Sequence, residues 1–236
     1  DEVDTTAYQV TPIYNNNKLY LCTPFNHIVA LDPESGEELW RFDPGRSLSG
    51  TFYGSNNCRG VAYWQENDPE ERELSCGKRI FELVQNGVLV SVDAETGESC
   101  TDFGDNGRID LNKLDYNGEG EVYNTSPPAI YKNVVITGSS LYDNKYSNSL
   151  DGIVRAFDTR TGEELWNWNP IPEAMQEKTG GANTWAPISV DIEKGWVFLP
   201  TTSPSLDQVG INRRESIPDA NAVVVLDALT GRKIWS

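Results

Sequence analysis

Apolar positions in this chain gather into short runs that end on polar turns, and none repeats with the 3.6-residue period of an amphipathic helix over a useful length. Runs such as Val88-Leu89-Val90-Ser91-Val92-Asp93 and Ala222-Val223-Val224-Val225-Leu226-Asp227 are rich in β-branched residues and bounded by Gly, Asn and Thr. That pattern predicts strands joined by tight turns, and the class is all-β. In chain order the predicted strands are 8–14, 19–23, 27–32 and 38–42; then 61–65, 79–85, 88–93 and 98–103. They continue with 128–132, 134–139, 153–158 and 164–168, then 187–192, 196–201, 222–227 and 233 onward.

One skeleton recurs at the end of each group. Phe157-Asp158-Thr159-Arg160-Thr161-Gly162-Glu163-Glu164-Leu165-Trp166 has Asp, Gly and Trp at the offsets found in Asp32, Gly36 and Trp40 and again in Asp227, Gly231 and Trp235. A fourth copy keeps Asp93 and Gly97 but has Thr101 where Trp is due. The Asp side chain accepts hydrogen bonds from turn amides, the Gly supplies positive φ, and the Trp offers a large face to a neighbour. Intervals of 61, 65 and 69 residues separate the four aspartates, a spacing too long for helical solenoid repeats.

A unit of this length suits a four-stranded antiparallel blade of a β-propeller. The blades are expected near 8–43, 60–103, 126–168 and 186–236 of one domain, 1–236. A closed ring of six to eight such blades needs on the order of 360 to 560 residues. The 236 residues here stop at Trp235-Ser236 within a strand, so the chain is expected to be a segment of a longer propeller.

Successive connections in an antiparallel meander fall on opposite ends of the sheet. The long segments 43–59, 104–125, 141–151, 169–185 and 203–221 are then all expected at one end, while the insertion 66–77 breaks the rule. Loops on a rigid scaffold carry function, so the site is expected at the long-loop end.

Composition narrows the classes. Lys plus Arg is 19 against 36 Asp plus Glu, and the net charge of −17 argues against nucleic-acid or polybasic membrane binding. No apolar run approaches the roughly 20 residues of a membrane helix, and the chain as given is expected to be soluble. Four cysteines, Cys22, Cys58, Cys76 and Cys100, admit three complete pairings and have no CxxC metal spacing. Cys58 and Cys76 flank a polar insertion and are the first choice for a disulfide; the alternative is four small buried residues. His27, the one histidine, reads as a strand-end residue rather than a base.

Five landmarks stand in order between the repeats: Thr11-Pro12 with Leu19-Tyr20-Leu21-Cys22-Thr23, Cys58-Arg59-Gly60-Val61-Ala62-Tyr63, Thr125-Ser126-Pro127-Pro128, Gly138-Ser139-Ser140 followed by Asp143-Asn144, and Asn183-Thr184-Trp185-Ala186-Pro187. With them the chain resembles the membrane-associated quinoprotein dehydrogenases of the glucose, quinate and polyol type, which use pyrroloquinoline quinone (PQQ). The resemblance covers nearly the whole chain and implies about half of an eight-bladed ring. It implies oxidation of a sugar, polyol or cyclic hydroxy acid, with electrons passed to membrane quinone, in a periplasmic, membrane-associated parent protein.

It also implies roles for residues. Trp185 would stack on the flat quinone, Arg59 would bind its carboxylates, and Thr125 and Ser126 would donate hydrogen bonds. Asp143 and the amide oxygen of Asn144 would hold Ca²⁺ or Mg²⁺. Relatives place a His four residues before the matched Arg, where this chain has Ser55. The family's catalytic Asp lies past the fourth Trp, so no catalytic residue is assigned and the chain alone is expected not to turn over. The competing reading is a non-catalytic propeller scaffold, in which Asp143, Asn144, Arg59 and Trp185 need not converge. Terminal blades with uncovered apolar faces predict self-association.

Overall fold

Alternating side chains that are apolar on both faces of a strand require a partner on each side of the sheet. The computed structural model, which describes residues 6–46, 56–212 and 216–236, meets that requirement with four antiparallel four-stranded sheets packed in sequence order. Blade 1 comprises Ile13–Asn15, Lys18–Cys22, Ile28–Leu31 and Glu38–Phe42. Blade 2 comprises Ala62–Gln65, Lys78–Val84, Val88–Asp93 and Arg108–Asp110. Blade 3 comprises Ala129–Tyr131, Val134–Thr137, Val154–Asp158 and Glu164–Trp168. Blade 4 comprises Ser189–Asp191, Trp196–Pro200, Val223–Asp227 and Lys233–Trp235. These are meandering blades of a β-propeller. Among the described residues no helix is long and apolar enough to cross a membrane.

The core lies between blades rather than at one centre. Tyr20, Ile28 and Ala30 of blade 1 meet Ile80, Val90 and Val92 of blade 2. The other face of blade 2, with Phe81, Leu83 and Leu89, meets Val135 and Phe157 of blade 3. Ile136, Val154 and Ala156 then meet Val197, Leu199, Val224 and Leu226 of blade 4. Consecutive residues such as Ile80 and Phe81 thus serve opposite interfaces, as period-two geometry demands.

The repeated Asp–Gly–Trp skeleton builds these interfaces. Asp158 Oδ1 accepts from the backbone amides of Arg160 and Thr161, and Gly162 N donates to the Asp158 carbonyl. Asp32, Asp93 and Asp227 repeat the arrangement. Each such Gly has φ near +70°. Trp40 of blade 1 donates through Nε1 to the Ala94 carbonyl in the blade 2 turn, and Trp166 of blade 3 donates likewise to Ala228 in blade 4.

The structure corrects three expectations. Blade 2 takes its fourth strand from Arg108–Asp110, not 98–103, and pairs it with Val88–Val90. Without a Trp at Thr101 the chain turns away after Ser99, is fastened by Cys100, and returns through Gly104 and Gly107, both with positive φ. Gly104 N donates to the Thr161 carbonyl and fills the place of the missing Trp against blade 3. The disulfides are Cys22–Cys58 and Cys76–Cys100, not Cys58–Cys76. Cys58 lies at the long-loop end of the molecule, whereas Cys76 closes the insertion at the opposite end beside the Asp93 turn, so the two sulfur atoms face different neighbours. Residues 8–14 are not one strand: Pro12 has no amide to donate, Thr6–Tyr8 pairs in parallel with Asn56–Cys58, and only Ile13–Asn15 joins blade 1.

The long segments bond to one another. Arg59 N donates to the Thr125 carbonyl, Tyr123 and Ser140 exchange backbone bonds, Gly181 N donates to the Leu150 carbonyl, and Ala182 N donates to that of Ser203. They therefore share one end of the molecule. The insertion 66–77 sits at the other, where Glu66 and Glu71 pair with Arg160 of the blade 3 turn.

Candidate functional site

The long segments enclose a cavity of about 370 Å³, lined from all five of them and from the stretch before blade 1. Arg59, Thr125, Asp143 and Trp185 all line it. Ser126 and Asn144 stand directly behind that wall. Ser126 Oγ donates to the Trp185 carbonyl (2.7 Å), and Asn144 Oδ1 accepts from Gln208 N (2.8 Å). Ser55 lies outside the described residues.

Local chain geometry explains how each side chain arrives there. Arg59 directly follows Cys58, which the disulfide ties to Cys22 at the end of a blade 1 strand. Its amide donates to Thr125, its carbonyl accepts from Thr11 N, and its Nη1 donates to Thr125 Oγ1. The guanidinium carbon lies 5.2 Å from the centroid of the Trp185 ring, a cation–π contact. Among the described residues Arg59 forms no ion pair, and burial holds its pKa below the usual arginine range.

Trp185 is 43% exposed, so one face of a large indole is open to the cavity. The segment before it is seated closely: Ser139 N donates to the Thr184 carbonyl (3.0 Å), and Asn183 Nδ2 donates to the Ser139 carbonyl (2.9 Å). Gly138 permits the approach, since a Cβ there would stand 2.1 Å from the Thr184 carbonyl.

The acidic side of the cavity comes from two blades. Asp143 leaves the end of blade 3, and Asp207 leaves the corresponding connection of blade 4, where its amide donates to the Asp143 carbonyl (3.2 Å). Burial, with the nearby Asp207 charge second, pushes the Asp143 carboxyl up to about 6. A carboxylate held up in this way is relieved by a bound cation.

Residues not expected from sequence complete the lining, among them Asn57, Gln85, Tyr123, Asn183 and Asp207. Asn57 is 7% exposed; its Nδ2 donates to Gln9 Oε1, but its Oδ1 meets no donor among the described residues. Asn57 stands two residues before Arg59 and shares its segment. Asp207 had no signal beyond its place in a long segment.

The cavity thus sets a cation and an open indole against a pair of carboxylates. Similar architecture is found in the quinohemoprotein alcohol dehydrogenase of Comamonas testosteroni, with a TM-score of 0.77 at 20% identity over 99% of this chain and 35% of that one. A europium-containing methanol dehydrogenase gives 0.75 at 17% identity over 98% and 41%. In sequence, the chain is 34% identical to quinoprotein glucose dehydrogenase A of Acinetobacter calcoaceticus over 98% of its length and 31% of the relative's. It is 33% identical to a quinate/shikimate dehydrogenase (quinone) of Acinetobacter baylyi over 96% and 31%, and 30% identical to a glycerol dehydrogenase large subunit of Gluconobacter thailandicus over 99% and 33%. The chain spans about a third of the length of these curated relatives. Over residues 1–236 it matches, and belongs to, the PQQ family described as the glucose/ethanol/alcohol dehydrogenase β-propeller domain.

Proposed function

We propose that this chain supplies one wall of the cofactor and metal site of a PQQ-dependent dehydrogenase. The parent protein would oxidise a sugar, polyol or cyclic hydroxy acid and pass electrons to membrane quinone from a periplasmic, membrane-associated position. The observation that carries the reading is the convergence of Arg59, Trp185 and Asp143 on one cavity. A scaffold without chemistry has no need of a guanidinium that forms no ion pair among the described residues, an open indole and a desolvated carboxyl in the same hollow.

The residues fit the group. PQQ is a flat tricyclic quinone with three carboxylates, and it works beside a divalent cation. Trp185 would take the ring face, and Arg59 with Thr125 would take a carboxylate, giving the desolvated guanidinium a counter-charge in place of the water that burial has removed. Asp143, with the Asn144 amide oxygen, offers the hard oxygen donors that Ca²⁺ or Mg²⁺ prefers. Asn57 Oδ1 is a buried acceptor without a donor among the described residues, consistent with a ligand hydrogen bond. Bound there, the quinone would supply the hydride acceptor and the cation a Lewis acid beside it. Ser126 holds the backbone of Trp185 and is a positioning residue. No general base is assigned here, and the chain alone should bind without turning over.

Titration of PQQ with Ca²⁺ into the chain, followed by quenching of tryptophan fluorescence and by calorimetry, tests the reading. Arg59→Ala should weaken binding roughly ten- to a hundredfold, as expected when a charge-assisted hydrogen bond is lost, and Trp185→Ala should weaken it as well. Failure of the unaltered chain to bind PQQ under any of these conditions would return the scaffold reading.

A further inference from the structure

We infer that Asp207 is a ligand of the cation, reaching it from blade 4 to meet Asp143 from blade 3. The inference rests on the reading above and extends it to a residue outside the Asp143–Asn144 pair. Both carboxylates line the same cavity, and among the described residues neither forms an ion pair. Two carboxylates that share a half-enclosed hollow repel each other, and a divalent ion placed between them removes the repulsion and gives each a hard oxygen-seeking partner.

The backbone brings the two residues together on purpose-built contacts. Asp207 N donates to the Asp143 carbonyl at 3.2 Å, and the next residue, Gln208, donates its amide to Asn144 Oδ1 at 2.8 Å. Two successive amides of the blade 4 segment are therefore fastened to two successive residues of the blade 3 segment. In this arrangement Asn144 already spends one lone pair of its amide oxygen on the Gln208 amide, which leaves the second carboxylate as the stronger donor. An independent feature marks the hollow as built for a ligand. Asn57, more than nine-tenths buried and lining the same cavity, has an amide oxygen that no donor among the described residues reaches.

Calorimetric titration of Ca²⁺, and separately of Mg²⁺, into the full chain in the presence of PQQ tests this directly and needs no turnover. Near-ultraviolet circular dichroism verifies that each variant is folded. Asp207→Asn should weaken Ca²⁺ binding at least about tenfold, Asp207→Glu should recover part of the loss, and Glu173→Gln, a change of an exposed acid elsewhere, should leave affinity unchanged. If the unaltered chain binds PQQ and Ca²⁺ and Asp207→Asn binds the ion equally well, Asp207 is no ligand while the cofactor reading stands. If the unaltered chain binds neither ion, with or without PQQ, the metal site and this inference fall together. Should Asp207→Asn prove unfolded, Asp207→Glu decides alone: a longer carboxylate at a ligand position must change the affinity, and an unchanged value overturns the assignment.

Discussion

Glu82 shows what one residue can impose on a blade interface. It follows Ile80 by two positions, so the alternation of the strand turns it onto the same buried face. There its Oε1 accepts from Asn26 Nδ2 (2.9 Å) and lies 3.3 Å from Cys58 Sγ, while its Oε2 meets no donor among the described residues. Burial pushes the carboxyl up to about 8, against the opposing pull of the Asn26 hydrogen bond and the Arg46 charge. The folded state therefore keeps a proton that the unfolded chain releases near pH 4.5. The associated stability is fully present below that value and is lost as pH rises towards and through about 8. Urea unfolding at intervals between pH 5 and 8.5 should show a decline on the order of a few kcal/mol. Glu82→Gln should flatten the decline, and an equal slope in the variant would assign it elsewhere.

At the scale of elements, the turn glycines separate two costs that usually come together. Gly36, Gly97 and Gly231 all adopt φ of about +70°. An added Cβ meets nothing within 4 Å at Gly36, but it would stand 2.6 Å from the Trp40 ring at Gly97 and 2.6 Å from the Trp166 ring at Gly231. Gly36→Ala should then cost only the left-handed backbone term, about 1 to 2 kcal/mol. Gly97→Ala and Gly231→Ala should cost roughly 1 to 3 kcal/mol more, because the indole must move off the turn. Denaturant midpoints for the three variants check the order. Blade pattern was readable from the chain because Asp, Gly and Trp each have a local job that fixes their spacing. The fourth strand of blade 2 was not readable, since at Thr101 the marker is gone and the path from Ser99 to Arg108 is set by the Cys76–Cys100 bond and by contacts with blade 3. The disulfides escaped for the same reason: Cys22 and Cys58 are 36 residues apart and meet only when two blades pack.

For the whole molecule, the candidate site was legible where one short motif carries one lining residue, as with Arg59, Thr125, Asp143 and Trp185, and illegible where it depends on which segments touch, as with Gln85 and Asp207. The same assembly logic predicts how the chain behaves in solution. Trp40 covers the turn of the next blade at Gly97, and Trp166 covers the turn at Gly231. The blade 4 copy, Trp235, is 45% exposed, and among the described residues nothing stands within 4 Å of a Cβ placed on Gly36 in the blade 1 turn. For the chain taken by itself, Trp235 of one copy is expected to dock on the Gly36 turn of another, a head-to-tail contact that does not close after two copies. A net charge of −17 opposes the approach of two copies, so association should strengthen as salt rises and screens that repulsion. Light scattering across a concentration series at low and high salt should show mass growing with both variables. Trp235→Ser should hold the chain monomeric, because the contact loses its large apolar face while Asp227 and Gly231 still form their own turn. A monomer at all concentrations in high salt would refute the docking; growth unchanged by Trp235→Ser would place the contact on another surface.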